Sequence, residues 1–362
     1  YSSPRKKELA ENCHPFAVEI KDFTKPVDIL AVDVPAGYTT LFVFPYSVGF
    51  QFSGFKNLAA LNEAITKRLK NLGVTTLLFM RHLELIEYEI KIPGKEASGE
   101  YLLDAEPVND HCTRVSAIES EDDKTDESLS FIKFSMPIDS MVSTRTIDVA
   151  FTVATDKEGK TTFQKAKNPY ISVYFPTETE SKLDFIVQGP FRTTPNRSSV
   201  PADEEENEAL AEQTAKLLRQ SVLELRDMGL LDLSLIRILP LDEDDFDVYP
   251  LFYPLYEEMR DLFSSERVLP VKDGKGYTKA ANAELLPSEL ISELINDKRH
   301  YEWLPVSLTE TGPYKDVLSY FSNILGIEVI RPEDLRSYFN DNHSFLENRD
   351  NDWLVRLYKL YE

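Results

Sequence analysis

"DFIVQGPFRTTPNRSSVPADEEENEAL", residues 184–210, holds the change of hydrophobic period on which the fold turns. Its first residues belong to a strand pattern, and its last residues open a helix. Between them Arg192 and Arg197 sit five positions apart in a short polar segment, in a chain whose formal net charge is −22.

Upstream of this seam, from Glu84 to Gly189, the period is two. "LELIEYEIKI", "TRVSAIES", "LSFIKFSMPI", "RTIDVAFTVA", "PYISVYFP" and "LDFIVQG" each read as one strand. "PGKEASGE" and "TDKEGK" supply glycine and charge for hairpin turns. "ESEDDKTDES" (119–128) reads as a solvated loop tip. Further upstream, "PVDILAVDVP" and "YTTLFVFPY" read as strands. "KNLAALNEAITKRLKNLG" is an amphipathic helix with Leu58, Leu61, Ile65, Leu69 and Leu72 on one stripe and Gly73 past its end. "TTLLFM" follows as a short buried run.

Downstream the pattern is helical. Asp203 is placed to cap the first helix, with Glu206 as its capping-box partner. Leu210, Leu217, Leu218, Leu225 and Met228 form its buried face, and Gly229 ends it. "DLSLIRILP" and "YPLFYPLYEEMRDLFSS" are the next helices. "VLPVKDGKGYTKAANAEL" is a hairpin turning at residues 273–276, and helices are expected at 287–296, 315–325, 332–340 and 351–361. The fold class is therefore α+β: a mixed, largely antiparallel sheet domain, then a helix-rich region with a β-hairpin.

The 362 residues suffice for two or three domains. Net negative charge argues against a general nucleic-acid surface and favours cationic or apolar partners. No apolar run is long enough to span a membrane. Two cysteines make no disulfide framework, so a reducing cytoplasm is the expected compartment. The chain starts at Tyr1, and the helical pattern of "DNDWLVRLYKLYE" runs to its end, as expected of a segment of a longer polypeptide.

The chemical motifs are sparse. Cys13-His14 and His111-Cys112 are adjacent pairs, which on a strand would point to opposite faces, so no metal site is expected. "SGFK" (53–56) lacks the companion elements of a serine acyl-enzyme. "LDEDDFDVY" (241–249) has no glycine at which a calcium loop could turn. "DGKG" (273–276) is not a phosphate loop. Two readings of the arginine segment stay open. In one, Thr193, Thr194 and Asn196 close a structural turn. In the other, Arg197 reaches outward with a planar fork matched to phosphate oxygens.

"GYTTLFVFPY", "LNEAITKRLKNLGVTTLLFMRHLELIEYEI" and "FIVQGPFRTTPNRSSVPADEEENEAL" together resemble the region downstream of the nucleotide fold in GHKL-type ATPases of the sacsin-like and heat-shock-chaperone-like kind. The resemblance runs from about residue 35 to 230. It implies a nucleotide-domain tail and entry linker over 1–55, a transducer-like middle domain over 56–200 and a helix-rich region over 201–362. It implies a γ-phosphate contact for Arg197 and a weaker one for Arg192. ATP and Mg²⁺ would lie on a preceding domain, because the acidic-asparagine helix, the D-x-G-x-G turn and the glycine lid of such enzymes do not occur here. It further implies dimerisation, protein clients, and a part in stress response or defence against phage. The alternative is a non-catalytic protein-interaction module with an acidic, aromatic-rich surface.

Overall fold

The computed structural model describes residues 57–362 apart from 81, 93, 122–126, 139–144, 168, 273, 275, 287–290, 292–293, 295–301, 306, 342, 348 and 362. "PVDILAVDVP", "YTTLFVFPY", Cys13-His14 and "SGFK" lie outside these residues. Two compact units are present, Tyr1–Leu72 with Ile90–Glu96, and Gly73–Glu89 with Ala97–Glu362. In the first, helix α1 (Leu58–Lys70) starts at Asn57, whose side chain accepts from Ala60 N–H, and ends in Lys67, Arg68 and Lys70, which suit its negative C-terminal pole. Leu61 of its stripe is buried, while Ile65 and Leu72 are at the surface.

The second unit is α+β. Apart from the residues 90–96 grouped with the first unit, its sheet contains β1 (Leu85–Ile92), β2 (Lys95–Pro107), β3 (Cys112–Glu121), β4 (Glu127–Pro137), β5 (Thr146–Thr155), β6 (Thr161–Gln164), β7 (Tyr170–Val173), β8 (Phe175–Glu180) and β9 (Ile186–Gln188). The order is β1-β2-β3-β4-β5-β9-β7-β8, with β6 also on β5. Of the pairings in register, β7 with β9 is parallel and the others are antiparallel.

Three strand expectations need correction. "PGKEASGE" is not a turn as a whole, because residues 95–100 already belong to β2. Gly99 sits there for close packing: a Cβ would come within 2.5 Å of the Tyr88 hydroxyl and 2.8 Å of the Ser120 carbonyl. "PYISVYFP" is not one strand. Tyr174, at φ 64°, breaks it into β7 and β8. Finally, the acidic stretch 119–128 is partly strand, since Glu119 pairs with Glu127 in the β3–β4 ladder.

The helices follow the sequence closely. Helix α2 (Glu205–Asp227) buries Leu210, Leu217, Leu218 and Leu225, and the buried hydroxyls of Thr214 and Ser221 donate to carbonyls one turn back. Gly229, at φ 73°, closes it: Leu230 N–H donates to Leu225 O and Gly229 N–H to Arg226 O, the paired bonds of a Schellman end. Helix α3 (Leu233–Ile236) is capped by the Asp232 carboxylate. Helix α4 (Tyr253–Ser265) packs beside α2, and Arg219 of α2 bonds Glu258 and Asp261 of α4 at 2.8 Å each. Strands β10 (Leu269–Pro270) and β11 (Tyr277–Thr278) form the expected hairpin.

Beyond it lie the two-residue strands β12 (Ala283–Glu284) and β13 (Glu302–Trp303), and then α5 (Lys315–Ser319), which continues as a π-turn through Ile324. Helices α6 (Leu335–Asp341), α7 (His343–Leu346) and α8 (Asn351–Tyr361) close the described chain. The helix expected at 287–296 falls almost wholly outside the described residues.

One apolar core unites the sheet face carrying Phe134, Val149, Phe151 and Phe185 with Leu218 and Val222 of α2 and Phe263 of α4. No helix among the described residues is long and apolar enough to cross a membrane.

Candidate functional site

The seam between β9 and α2 is fixed from below before it forms a turn above. Phe191 is buried and meets Phe252 edge-on, with ring centroids 5.9 Å apart. That contact pins the chain one residue before Arg192. Beyond it, Thr194 to Ser199 makes a tight loop. Arg197 N–H donates to Thr194 O at 2.8 Å, and Thr194 N–H donates to Ser199 O at 2.9 Å. The Asn196 side-chain oxygen accepts from the Thr194 and Ser198 hydroxyls at 2.7 and 3.0 Å. The loop is tied to β8, where Glu178 N–H donates to Ser198 O and the Thr179 hydroxyl accepts from Val200 N–H. Tyr249 adds a further tie, its hydroxyl donating to Val200 O at 2.7 Å, and burial pushes that phenol's pKa well up, so it stays protonated.

Asn207 is the residue that sequence reasoning missed. It is fully buried in the first turn of α2. Its side-chain oxygen accepts from Arg192 N–H at 2.7 Å, and its amide donates to Arg192 O at 3.0 Å and Pro201 O at 2.8 Å. One amide thus clamps both ends of the arginine segment onto the helix. An asparagine after four consecutive acids was the available signal, but it reads first as surface.

The expected capping box does not form. Helix α2 starts at Glu205, and Glu204 stands at its N-cap without a side-chain bond. Glu206 cannot serve there because Arg192 engages it: Nε and Nη2 donate to the two carboxylate oxygens at 2.6 and 2.7 Å. Both side chains are more than half exposed. An exposed pair of this kind contributes little stability. Arg192→Ala should therefore leave the melting temperature nearly unchanged in a thermal scan. A fall of many degrees would mean that the pair holds the turn.

Arg197 differs from Arg192 in both respects. Its backbone is left-handed, at φ 60°, in the position after a turn where glycine or asparagine is usual. Its side chain is exposed, and its guanidinium makes no ion pair with a described residue. The structure thus separates the two candidates: one arginine is held by a carboxylate, and the other is presented on a hydrogen-bonded loop.

At the other sequence candidate, Cys112 is fully buried in β3. Burial, and then the neighbouring Glu224 carboxylate, push its thiol up to about 11, while His111 is exposed. Among the described residues no three His, Cys, Asp or Glu side chains form a metal-sized group. In "LDEDDFDVY" Phe246 is buried in a short 3₁₀ turn.

No family model, curated protein or solved structure matches the chain.

Proposed function

We propose that this chain is the coupling segment of a GHKL-type, chaperone-like ATPase. It senses ATP held with Mg²⁺ on a preceding domain and converts hydrolysis into domain movement. Arg197 is the sensor. Its guanidinium offers two parallel donors to the γ-phosphate and stabilises the charge that builds there during transfer. Arg192 is an auxiliary cation that must first leave Glu206. The observation that carries the reading is an Arg197 side chain that makes no ion pair with a described residue and stands on a left-handed backbone. Such a conformation costs a non-glycine residue about 1–2 kcal/mol, a cost that glycine at the same place in the turn would avoid. The polypeptide works in the cytoplasm, with client proteins and a second copy of itself as its partners.

The test compares the full polypeptide with this chain alone. The full polypeptide should hydrolyse ATP. The isolated chain should give no saturable heat with millimolar Mg-ATP, because it carries no glycine-rich phosphate cradle. A micromolar dissociation constant for the isolated chain, or no turnover by the whole, would sink the proposal.

A non-catalytic interaction module is the second reading. It is favoured by Tyr174 and Phe175 at the β7–β8 turn, which are 39% and 54% exposed. Adjacent exposed aromatic rings suit a protein contact.

A further inference from the structure

A second constellation lies far along the chain from the arginine loop, where β12 meets the segment 327–330. Leu285 and Val329 form a parallel bridge. Leu285 N–H donates to Glu328 O, and Ile330 N–H donates to Leu285 O, each at 2.9 Å. Alternation along both strands then places Glu284 and Glu328, one residue before the bridge on each, side by side on the same face. Two carboxylates in that relation repel each other.

Glu284 is also buried, with 7% of its surface exposed. Its carboxyl has no hydrogen-bond or ion-pair partner among the described residues. Trp303, in register with it on β13, does not satisfy it: the indole Nε1 is itself buried without a partner. A carboxylate so largely desolvated, with no donor or cation beside it, is costly.

The two acids open on a cavity of about 360 Å³. Ala280, Ala281, Leu325 and Ile327 supply apolar wall, and Ser264 adds one hydroxyl. Two carboxylates with one hydroxyl fall short of a metal-sized group among the described residues. They do suit the three donors of an ammonium, and the apolar wall suits a methylene stem.

We propose that this cavity binds a primary ammonium on an unbranched aliphatic stem, with Glu284 as its principal counter-charge and Glu328 as the second. A free alkyl diamine and a lysine side chain presented by another protein share that chemistry. This site stands independently of the ATP-coupling reading.

Calorimetry on the chain as it stands tests the site with 1,5-diaminopentane, a short peptide bearing one lysine, and the same peptide with that lysine acetylated. Saturable binding of the diamine or the lysine peptide is expected, and none of the acetylated peptide. Diamine alone points to a free amine as the natural ligand, and the peptide alone to a protein. Glu284→Gln should weaken binding at least about tenfold, as loss of one charge-assisted bond does. Glu328→Gln should weaken it less. Millimolar calcium should not compete.

The native protein supplies a second readout that needs no variant. Burial, and then Glu328, raise the Glu284 carboxyl to about 7. Only the ionised form attracts the ammonium. Affinity should therefore rise about tenfold from pH 6 to pH 8, following the ionised fraction. No binding by either amine, equal binding of the acetylated peptide, an unaffected Glu284→Gln protein, competition by calcium, or a flat pH profile would each overturn the proposal.

Discussion

Arg197→Ala in the full polypeptide should retain ATP binding and slow hydrolysis about a hundredfold or more, the scale on which removing one transition-state charge donor acts. The loop that carries Arg197 is bonded to β8 and to α2 through groups other than its own side chain. Truncation therefore removes the guanidinium without releasing the turn. Arg197→Lys should recover only part of the rate, because an ammonium lacks the bidentate fork. Arg197→Gly is the sharper variant. It relieves a left-handed strain of about 1–2 kcal/mol, partly offset by the greater freedom glycine gives the unfolded chain. The melting temperature should hold or rise while hydrolysis falls as far as in the alanine variant. A structural turn predicts the reverse pairing, with stability changed and specific rate kept. If the glycine variant turns over ATP at the native rate, Arg197 does not touch the phosphate.

The parts of the fold that were legible in the sequence are those decided by local pattern. In "RTIDVAFTVA" the odd positions Ile147, Val149, Phe151 and Val153 all enter the core shared with α2, so the alternation is plain although the strand is buried on both faces. The end of α2 was legible because Gly229 is the residue that a left-handed C-terminal closure needs. What was not legible depends on partners distant in sequence. Gly99 punctuates "KEASGEY" as a turn would, yet it is there to admit Tyr88. Glu206 has the spacing of a capping-box acid, but Arg192 competes for it and wins two charge-assisted bonds. Tyr174 breaks a strand although it is itself neither glycine nor proline. Glu284 and Glu328 become neighbours through a bridge between segments more than forty residues apart, which no periodicity reports. At the arginine segment the sequence supplied the two cations, and the backbone conformation separates them.

The stability of that segment rests on Asn207, and the expected cost of losing it is large. Asn207→Ala removes three hydrogen bonds at once, leaving Arg192 N–H, Arg192 O and Pro201 O without their partner. At about 1 kcal/mol for each bond the loss is about 3 kcal/mol. For a unit of this size that corresponds to a fall in melting temperature of roughly 5 °C. Asn207→Asp gives the chemical signature. It keeps the acceptor and loses both donors, and it buries a carboxylate beside Glu204, Glu205 and Glu206. Burial and like charge raise such a group's folded pKa above its unfolded value. The folded state then holds the proton longer, so stability is greatest at low pH and declines as pH rises past the unfolded value. The native protein has a neutral amide there and lacks that slope. In the full polypeptide both variants should also slow hydrolysis while ATP still binds, because a loop no longer clamped at Arg192 and Pro201 presents Arg197 over a range of positions. If Asn207→Ala melts within a degree of the native protein, the amide is not the clamp, and the Arg197 loop must be held by its bonds to β8 and to Tyr249.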